Sequence, residues 1–344
     1  MRPRRPRLQN SSLHLRSIRD RTPRLRFPAL RMLASLALAT LGASPTITLN
    51  NGVIMPTVAA GTWQYTSDVA ELSVSAALSA GFRHIDAAHD YCADGKTSDC
   101  SLHGGSNQQG IRKALAGSSV KRADLFITTK IPPCGAQGVS RDSCASDSIS
   151  AAQKNLDELG VDYVDLLLIH FPPAGGCGPA NCALLREQWK ALAGVIAANK
   201  TRALGVSNFC ISCFKCLEGA NALVPAVNQV QYHIGMGPDP EGLFSYTKSK
   251  GIVSQAYSPL GDNTKELISG ELVTSIGRAH NKSGVQVALK WIAQHGVAVT
   301  TKSSSAQHLK EDLDLFGWDL SDDEMTKADA ATTPSGTPSF MCIA

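Results

Sequence analysis

The sequence predicts an α/β fold: a single (β/α)8 TIM barrel with an N-terminal β-hairpin closing its bottom. Three observations predict it. From residue 46 onward, short apolar runs alternate with amphipathic ones, the pattern of βα units around a parallel sheet. Eight such units follow the hairpin, enough for the sheet to close on itself. Polar or reactive residues stand at the carboxyl ends of several of the runs, and chemistry on a barrel of this kind lies at that end.

In chain order, Thr46 to Leu49 and Val53 to Met55 flank Asn50-Asn51-Gly52, whose Asn-Gly step suits the positive φ angles of a hairpin turn. Strands are then expected at residues 58–61, 84–86, 125–130, 164–170, 203–207, 227–231, 252–257 and 297–302. All are short, mostly apolar and rich in β-branched residues, as strands buried on both faces should be. Residues 69–80, 148–159, 184–198 and 283–295 carry apolar side chains at three- and four-residue spacing and read as helices. With 43% hydrophobic and 18% charged residues, a chain of 344 residues suits one barrel over 46–344 and requires no second domain.

Residues 1–44 read as a targeting or disordered extension. Ten arginines against one acid, Asp20, in the first 31 residues carry more than the whole formal charge of +4, so the body of the chain is mildly acidic. Such a body has no basic stripe for DNA or RNA. The Arg-rich front, the apolar run Leu33 to Leu41 and the small residues Gly42, Ala43 and Ser44 have the order of a signal or transit peptide, which points to the secretory pathway or an organelle. That run falls well short of the ~20 residues of a membrane span, so no membrane association is expected of the mature form.

Six of the ten cysteines form local pairs in loop-like stretches: Cys92 with Cys100, Cys134 with Cys144, and Cys177 with Cys182. Three short disulfides would suit an oxidising compartment, and free thiols would fit the same spacing in a reducing one. Cys210, Cys213 and Cys216 recur every third residue without a fourth ligand, so they read as packing residues and no metal is expected. Asn199-Lys200-Thr201 and Asn281-Lys282-Ser283 are glycosylation sequons only in a secreted chain.

Reducing a carbonyl with hydride needs a proton donor at the oxygen. A phenol serves if a nearby cation stabilises its phenolate and a carboxylate holds the cation. Tyr91, Lys130 and Asp86 offer that set, and His170 could orient the carbonyl. Taken singly, each residue has an ordinary reading: a helix cap, a loop aromatic, a solvated strand end, a satisfied core histidine.

The contexts of these four are specific. Gly81-Phe82-Arg83-His84-Ile85-Asp86 with Tyr91 five residues on, Leu125 to Lys130, and Asp165 to Pro172 resemble the aldo-keto reductase family in order and setting, and the resemblance spans about residues 46–333. It implies an enzyme that transfers hydride between NADPH and an aldehyde or ketone, with Tyr91 as general acid. That family binds its dinucleotide without a Rossmann fingerprint, and the lone Gly175-Gly176-Cys177-Gly178 is not one. The resemblance places the nicotinamide carboxamide against Ser207, Asn208 and Gln229, and its ring on Tyr257. Ser258 and Leu260 would line the pyrophosphate path. Lys302 and Ser303 would face the 2′-phosphate and Glu311 the adenine. His308 stands where the family usually has a phosphate-binding arginine, and a mostly neutral imidazole discriminates less well for NADPH. NADPH is the expected cofactor, with NADH as the alternative. Trp63 and Phe171 are expected as apolar walls of the substrate pocket.

Further departures from the family pattern follow. A Cys-, Gly- and Ser-containing loop is inserted between Tyr91 and a helix beginning near Asn107. Gln108 and Gln109 replace an acidic pair, a change expected at the surface. The tail after Ala331 is short, so little chain is left to close the pocket from that end. A small carbonyl compound is the expected partner and a monomer the expected state. The alternative is a barrel that binds dinucleotide without turnover and acts as a regulatory subunit. A hydrolase fails because Gly205-Val206-Ser207-Asn208-Phe209 lacks the second glycine of a nucleophile elbow. The loops leave aldehyde, ketone, quinone and sugar all open as substrates.

Overall fold

The computed structural model describes residues 45–335 apart from 98 and 220–222, so the extension expected at 1–44 lies outside the described residues. The hairpin forms from β1 (Thr46–Thr48) and β2 (Ile54–Pro56), antiparallel with Ile47 opposite Met55. Gly52 takes φ 84° in its turn, where a side chain would be strained. Leu49 and Met55 are buried in one cluster with Phe126, Leu166, Leu168 and Ala298, inward-facing residues from the barrel strands. The hairpin is therefore the floor plug.

The barrel strands follow in order: β3 (Val58–Gly61), β4 (His84–Asp86), β5 (Phe126–Ile131), β6 (Val164–Ile169), β7 (Thr201–Ser207), β8 (Val227–Gln231), β9 (Val253–Tyr257) and β10 (Ala298–Thr301). Each pairs in parallel with the next, and β10 pairs with both β9 and β3, so the sheet closes. All eight expected strands are present, with ends shifted by a residue or two.

The outer shell contains α1 (Ser67–Ala80), α2 (Gln108–Ala116), α3 (Cys144–Leu159), α4 (Pro179–Ala197), α5 (Ile211–Leu217) and α6 (Leu243–Ser249). It continues with α7 (Lys265–Ser269), α8 (Glu271–His280), α9 (Gly284–Gln294), α10 (Ala306–Leu313) and α11 (Asp322–Asp329). Outward-facing Ile85, Ile127, Leu167 and Leu204 pack against Val74, Ile111, Leu156 and Leu192 of this shell. Strands sandwiched in this way lose the alternation of a half-exposed sheet, which is why the sequence shows continuous apolar runs. Gly110 brings α2 against the start of α1, because a Cβ there would lie 1.9 Å from the Ser67 carbonyl oxygen.

Register sets the height of the strand-end residues. Asp86 pairs with Thr128, Lys130 pairs with Leu168, and His170 follows two residues beyond Leu168. Each functional position stands two residues further along its strand than the partner of the one before it. Two is the period that keeps a side chain on the same face, so all three point inward.

Candidate active site

Lys130 is fully buried, and its ammonium donates all three protons: to Asp86 Oδ1 at 2.6 Å, to the Ala87 carbonyl at 2.9 Å and to the Tyr91 hydroxyl oxygen at 3.0 Å. A buried ammonium with every donor matched is held in one place. Because the Tyr91 oxygen accepts from Lys130, its own proton is left to point into the pocket. His170 lies edge-on to Tyr91, ring centroids 5.7 Å apart, and Phe171 stacks on His170 at 4.4 Å. The four residues expected to act together are thus brought into one cluster.

The phenol's ionisation departs from the expectation. Burial is the largest cause, with the charges of Asp86 and Asp90 adding to it, and together they push Tyr91 well above the usual phenol range. Lys130 is already balanced by Asp86, so little positive field is left over for the phenolate. Tyr91 therefore rests as a neutral phenol, loaded to give a proton.

Sequence reasoning missed one neighbour of the cluster, Asp90, and misplaced another, Gln108. Asp90, buried, has Oδ1 2.9 Å from His170 Nδ1. Gln108 is buried, so the expected surface position is a correction, whereas Gln109 is exposed. The Gln108 side chain donates to Asn155 Oδ1 at 2.7 Å and Glu158 Oε2 at 2.8 Å, and accepts from Thr129 Oγ1 at 2.7 Å. Asn155 in turn donates to the Lys130 carbonyl at 3.1 Å. An amide suits this position because it donates to a carboxylate and accepts from a hydroxyl at once, which an ionised acid could not do. Polar residues one and seventeen positions from Tyr91 carry no periodic signal; the family pattern drew attention to Gln108, and nothing in the sequence marked Asp90.

A cavity of about 520 Å³ opens beside the cluster at the carboxyl ends of the strands, a volume typical of a small-molecule site. Asp86, Tyr91, His170, Phe171, Trp63 and Thr97 line one part. Asn208, Gln229, Tyr257, Ser258, Leu260 and Lys302 also line it. Two lining atoms, Gln231 Oε1 and Thr300 Oγ1, are buried without a hydrogen-bond partner, so polar groups of the wall are left to be matched by a polar ligand. The arrangement fits a nicotinamide dinucleotide on this observation, with an apolar wall for the ring and unmatched polar atoms for its substituents.

Other expected cofactor residues stand further back. Ser207 is buried behind the wall and donates to the Gln229 carbonyl at 2.8 Å. Gln229 donates to Asp86 Oδ2 at 2.6 Å, and Tyr257 donates to Asn208 Oδ1 at 2.7 Å. The Ser258 hydroxyl donates to Asp262. The Lys302 ammonium donates to the Trp63 carbonyl at 3.1 Å and Gln64 Oε1 at 3.3 Å, and burial lowers its pKa. Ser303, His308 and Glu311 are not in the cavity wall; Ser303 Oγ accepts from Ser305, His308 is exposed, and Glu311 accepts from Gln307.

Disulfides join Cys92 to Cys100 and Cys134 to Cys144, as the spacing suggested. The third local pair does not form. Cys177 joins Cys213 and Cys182 joins Cys216, tying the start of α4 and the loop before it to α5. The reading of Cys213 and Cys216 as packing residues is corrected with it, and no cysteine among the described residues is free. The inserted loop reaches the cavity: Tyr91 bridges to Thr97 and Cys92 to Ser106, and Trp63 Nε1 donates to Thr97 Oγ1 at 2.8 Å. The short tail also returns to the mouth, where Pro334 lies against Gly235 and Gly261.

Residues 57–333 match the Aldo/keto reductase family. Morphine 6-dehydrogenase of Pseudomonas putida is 32% identical over 303 residues, covering 85% of this chain and 93% of that protein. Glyoxal reductase of Bacillus subtilis is 34% identical over 286 residues, covering 83% and 92%. Among solved structures, a Bombyx mori aldo-keto reductase in complex with NADP superposes with a TM-score of 0.68 at 27% identity, covering 83% of this chain and 92% of that one.

Proposed function

This chain belongs to the aldo/keto reductase family and is an NAD(P)H-dependent oxidoreductase, and we propose that it reduces a small aldehyde or ketone with NADPH, Tyr91 being the proton donor. The observation that carries the reading is the ammonium of Lys130 held between Asp86 and the Tyr91 oxygen, behind the wall of a cavity lined by Asp86, Tyr91 and His170.

When bound, NADPH supplies the hydride. Tyr91 gives its proton to the oxygen of the carbonyl, which gathers negative charge as it is reduced. Lys130, already bonded to the phenol oxygen, stabilises the phenolate that remains. Asp86 holds Lys130 in place, and His170 orients the carbonyl. Because the resting phenol is neutral, reduction has its proton in place at pH 7, whereas alcohol oxidation would need the phenolate and should gain from alkaline pH.

Asn208 and Gln229 would hold the carboxamide of the cofactor and Ser207 would support them from behind. Tyr257 would stack on its ring, Ser258 and Leu260 would follow the pyrophosphate, and Lys302, Ser303, His308 and Glu311 would receive the adenosine end. Lys302 would have to leave Trp63 to reach a 2′-phosphate, which a long flexible side chain can do. Trp63, Phe171 and Thr97 would wall the substrate side. The disulfides and the exposed sequon residues Asn199 and Asn281 support maturation in an oxidising compartment.

The test is a screen of reactive aldehydes, ketones, quinones and sugars with NADPH and with NADH, following absorbance of the reduced cofactor. Oxidation of NADPH with a lower Michaelis constant than NADH is expected. A dinucleotide bound tightly with no carbonyl turned over would instead support the regulatory alternative.

A further inference from the structure

We propose that Thr97, carried by the inserted loop, is a positioning residue that sets substrate specificity through Trp63. By taking the indole N–H of Trp63 it leaves the wall beside Tyr91 without a donor, which favours carbonyl compounds with apolar bodies over those with hydroxyls next to the carbonyl. The inference rests on the reductase reading for the place of the substrate, and on geometry alone for the contact.

Trp63 follows β3 and is held on two sides. Its Nε1 donates to Thr97 Oγ1 at 2.8 Å, and its carbonyl accepts from Lys302 at 3.1 Å, the ammonium lying 5.7 Å from the centre of its ring. An indole nitrogen has one proton and accepts nothing, so an N–H given to Thr97 is withdrawn from any ligand. Lys302 would leave to meet a dinucleotide phosphate. Thr97 is then the polar contact that keeps the ring where it is.

The inserted loop fixes Thr97 before a ligand arrives. Thr97 bridges Tyr91 and Asp94 bridges Thr66, both antiparallel, and the Ser67 N–H donates to the Ala93 carbonyl at 3.0 Å. The Cys92–Cys100 disulfide closes the segment. It is thus laced both to Tyr91 and to the stretch that follows Trp63. Residues facing each other across such a bridge have Cβ atoms about 4.5–5.5 Å apart, so the N–H edge of Trp63 is drawn to the Tyr91 side of the wall. A side chain already ordered loses less freedom on binding.

The rest of the substrate side agrees. Phe171, stacked on His170, brings no polar side-chain atom. The unmatched Gln231 Oε1 and Thr300 Oγ1 stand on β8 and β10, the strands that carry Gln229 and lead to Lys302, on the cofactor side. Thr97 keeps its own proton, but the residue is exposed to solvent, so that donor serves the outer end of a ligand. A hydroxyl beside the carbonyl would leave water and find no partner between the rings, whereas an apolar chain in the same space gives nothing up.

The test compares pentanal with glyceraldehyde, aldehydes of equal heavy-atom count, in NADPH oxidation, with concentrations expressed as free aldehyde. In the wild type kcat/KM should favour pentanal by about 10- to 10²-fold. Thr97→Val keeps the shape and removes the acceptor, freeing the indole N–H for a substrate hydroxyl. The ratio should fall about tenfold, through the Michaelis constants and with kcat for pentanal kept. Thr97→Ser, which retains the acceptor, should keep the wild-type ratio. Nitrogen-15 NMR of indole-labelled protein, with the Trp63 signal assigned by its loss in Trp63→Phe, should show that signal shifted in Thr97→Val and not in Thr97→Ser.

A wild type that uses glyceraldehyde as well as pentanal overturns the proposal, as does an unchanged ratio or indole signal in Thr97→Val. A ratio lost equally in Thr97→Ser also overturns it, since loop shape and not the acceptor would then be at work. If no aldehyde is turned over, the reductase reading fails, and titration of the same two aldehydes against the Trp63 signal still decides the role of Thr97: equal affinities overturn it.

Discussion

Asp86, Lys130 and His170 leave the ends of three adjacent barrel strands, whereas Tyr91, Thr97 and Trp63 reach the same cavity from loops. The strand-end groups take their positions from backbone register: ladder pairs fix their heights, and inward-facing Leu166 and Leu168 pack the space beneath them. The loop groups have no ladder. Their segment is held by the Cys92–Cys100 disulfide, by bridges from Tyr91 to Thr97 and Cys92 to Ser106, and by the Trp63–Thr97 hydrogen bond. One region is placed by the fold and the other by covalent staples and local bonds, so disturbing them should have different readouts. Tyr91 belongs to both, since its oxygen is gripped by Lys130 while its backbone starts the stapled loop.

The largest expected effect comes from Tyr91→Phe, which removes the proposed proton donor and leaves the ring packing. Turnover should fall about 10²- to 10⁴-fold with dinucleotide affinity, measured by fluorescence titration, little changed. Loss of affinity and turnover in equal measure would mean that the hydroxyl supports the loop more than the reaction.

Next is the staple between α4 and α5. Cys177→Ser with Cys213→Ser leaves Cys182 joined to Cys216, so it opens only the short ring between the two staples, about ten residues, for which chain entropy sets a cost of about 3 kcal/mol. The denaturation midpoint should drop accordingly, with kcat unchanged just above the transition, because neither residue borders the cavity. A parallel fall in kcat would dissolve the distinction between the two regions.

A third test concerns the carboxyl end of β10, where Thr301 donates to buried Asp312 at 2.9 Å. Burial is the main cause of a carboxyl pKa pushed up from 3.8 to about 6. The native state thus binds this proton more tightly than the unfolded chain does. The stability it confers is complete below pH ~4 and is lost as pH rises through about 6. Two units correspond to roughly 3 kcal/mol. Asp312→Asn should flatten this part of the stability profile, leaving the variant more stable than the wild type at pH 8 and not at pH 4. Equal slopes from pH 4 to 8 would refute the shift.

The smallest effect should come from the loop beside Tyr91. Cys92→Ser with Cys100→Ser frees the segment bearing Thr97, so the substrate Michaelis constant should rise several-fold, about 1 kcal/mol, with kcat and NADPH affinity preserved. A collapse of kcat would show that the staple places Tyr91 itself.

Much of this was legible in the chain. The apolar runs marked all eight strands, and the contexts of Asp86, Tyr91, Lys130 and His170 marked the cluster. The disulfide partners were half legible: neighbours eight and ten residues apart were paired correctly, and those 34 and 36 apart were not. Cys177 is close to Cys182 along the chain, but in space it meets Cys213 because α4 and α5 pack side by side. Gln108 read as a surface residue because burial of a polar side chain depends on partners, here Asn155 and Thr129, supplied by other elements.

The sequence by itself determined the kind of barrel and the chemical set at its mouth, because strand runs and helix faces are written in the periodicity of neighbouring residues. Only the tertiary structure decided that Asp90 meets His170 across 80 residues and that Lys302 rests on Trp63 across 239. Closing the sheet brings its first strand against its last, so groups with no local signal become neighbours, and burial among them sets which protons they hold.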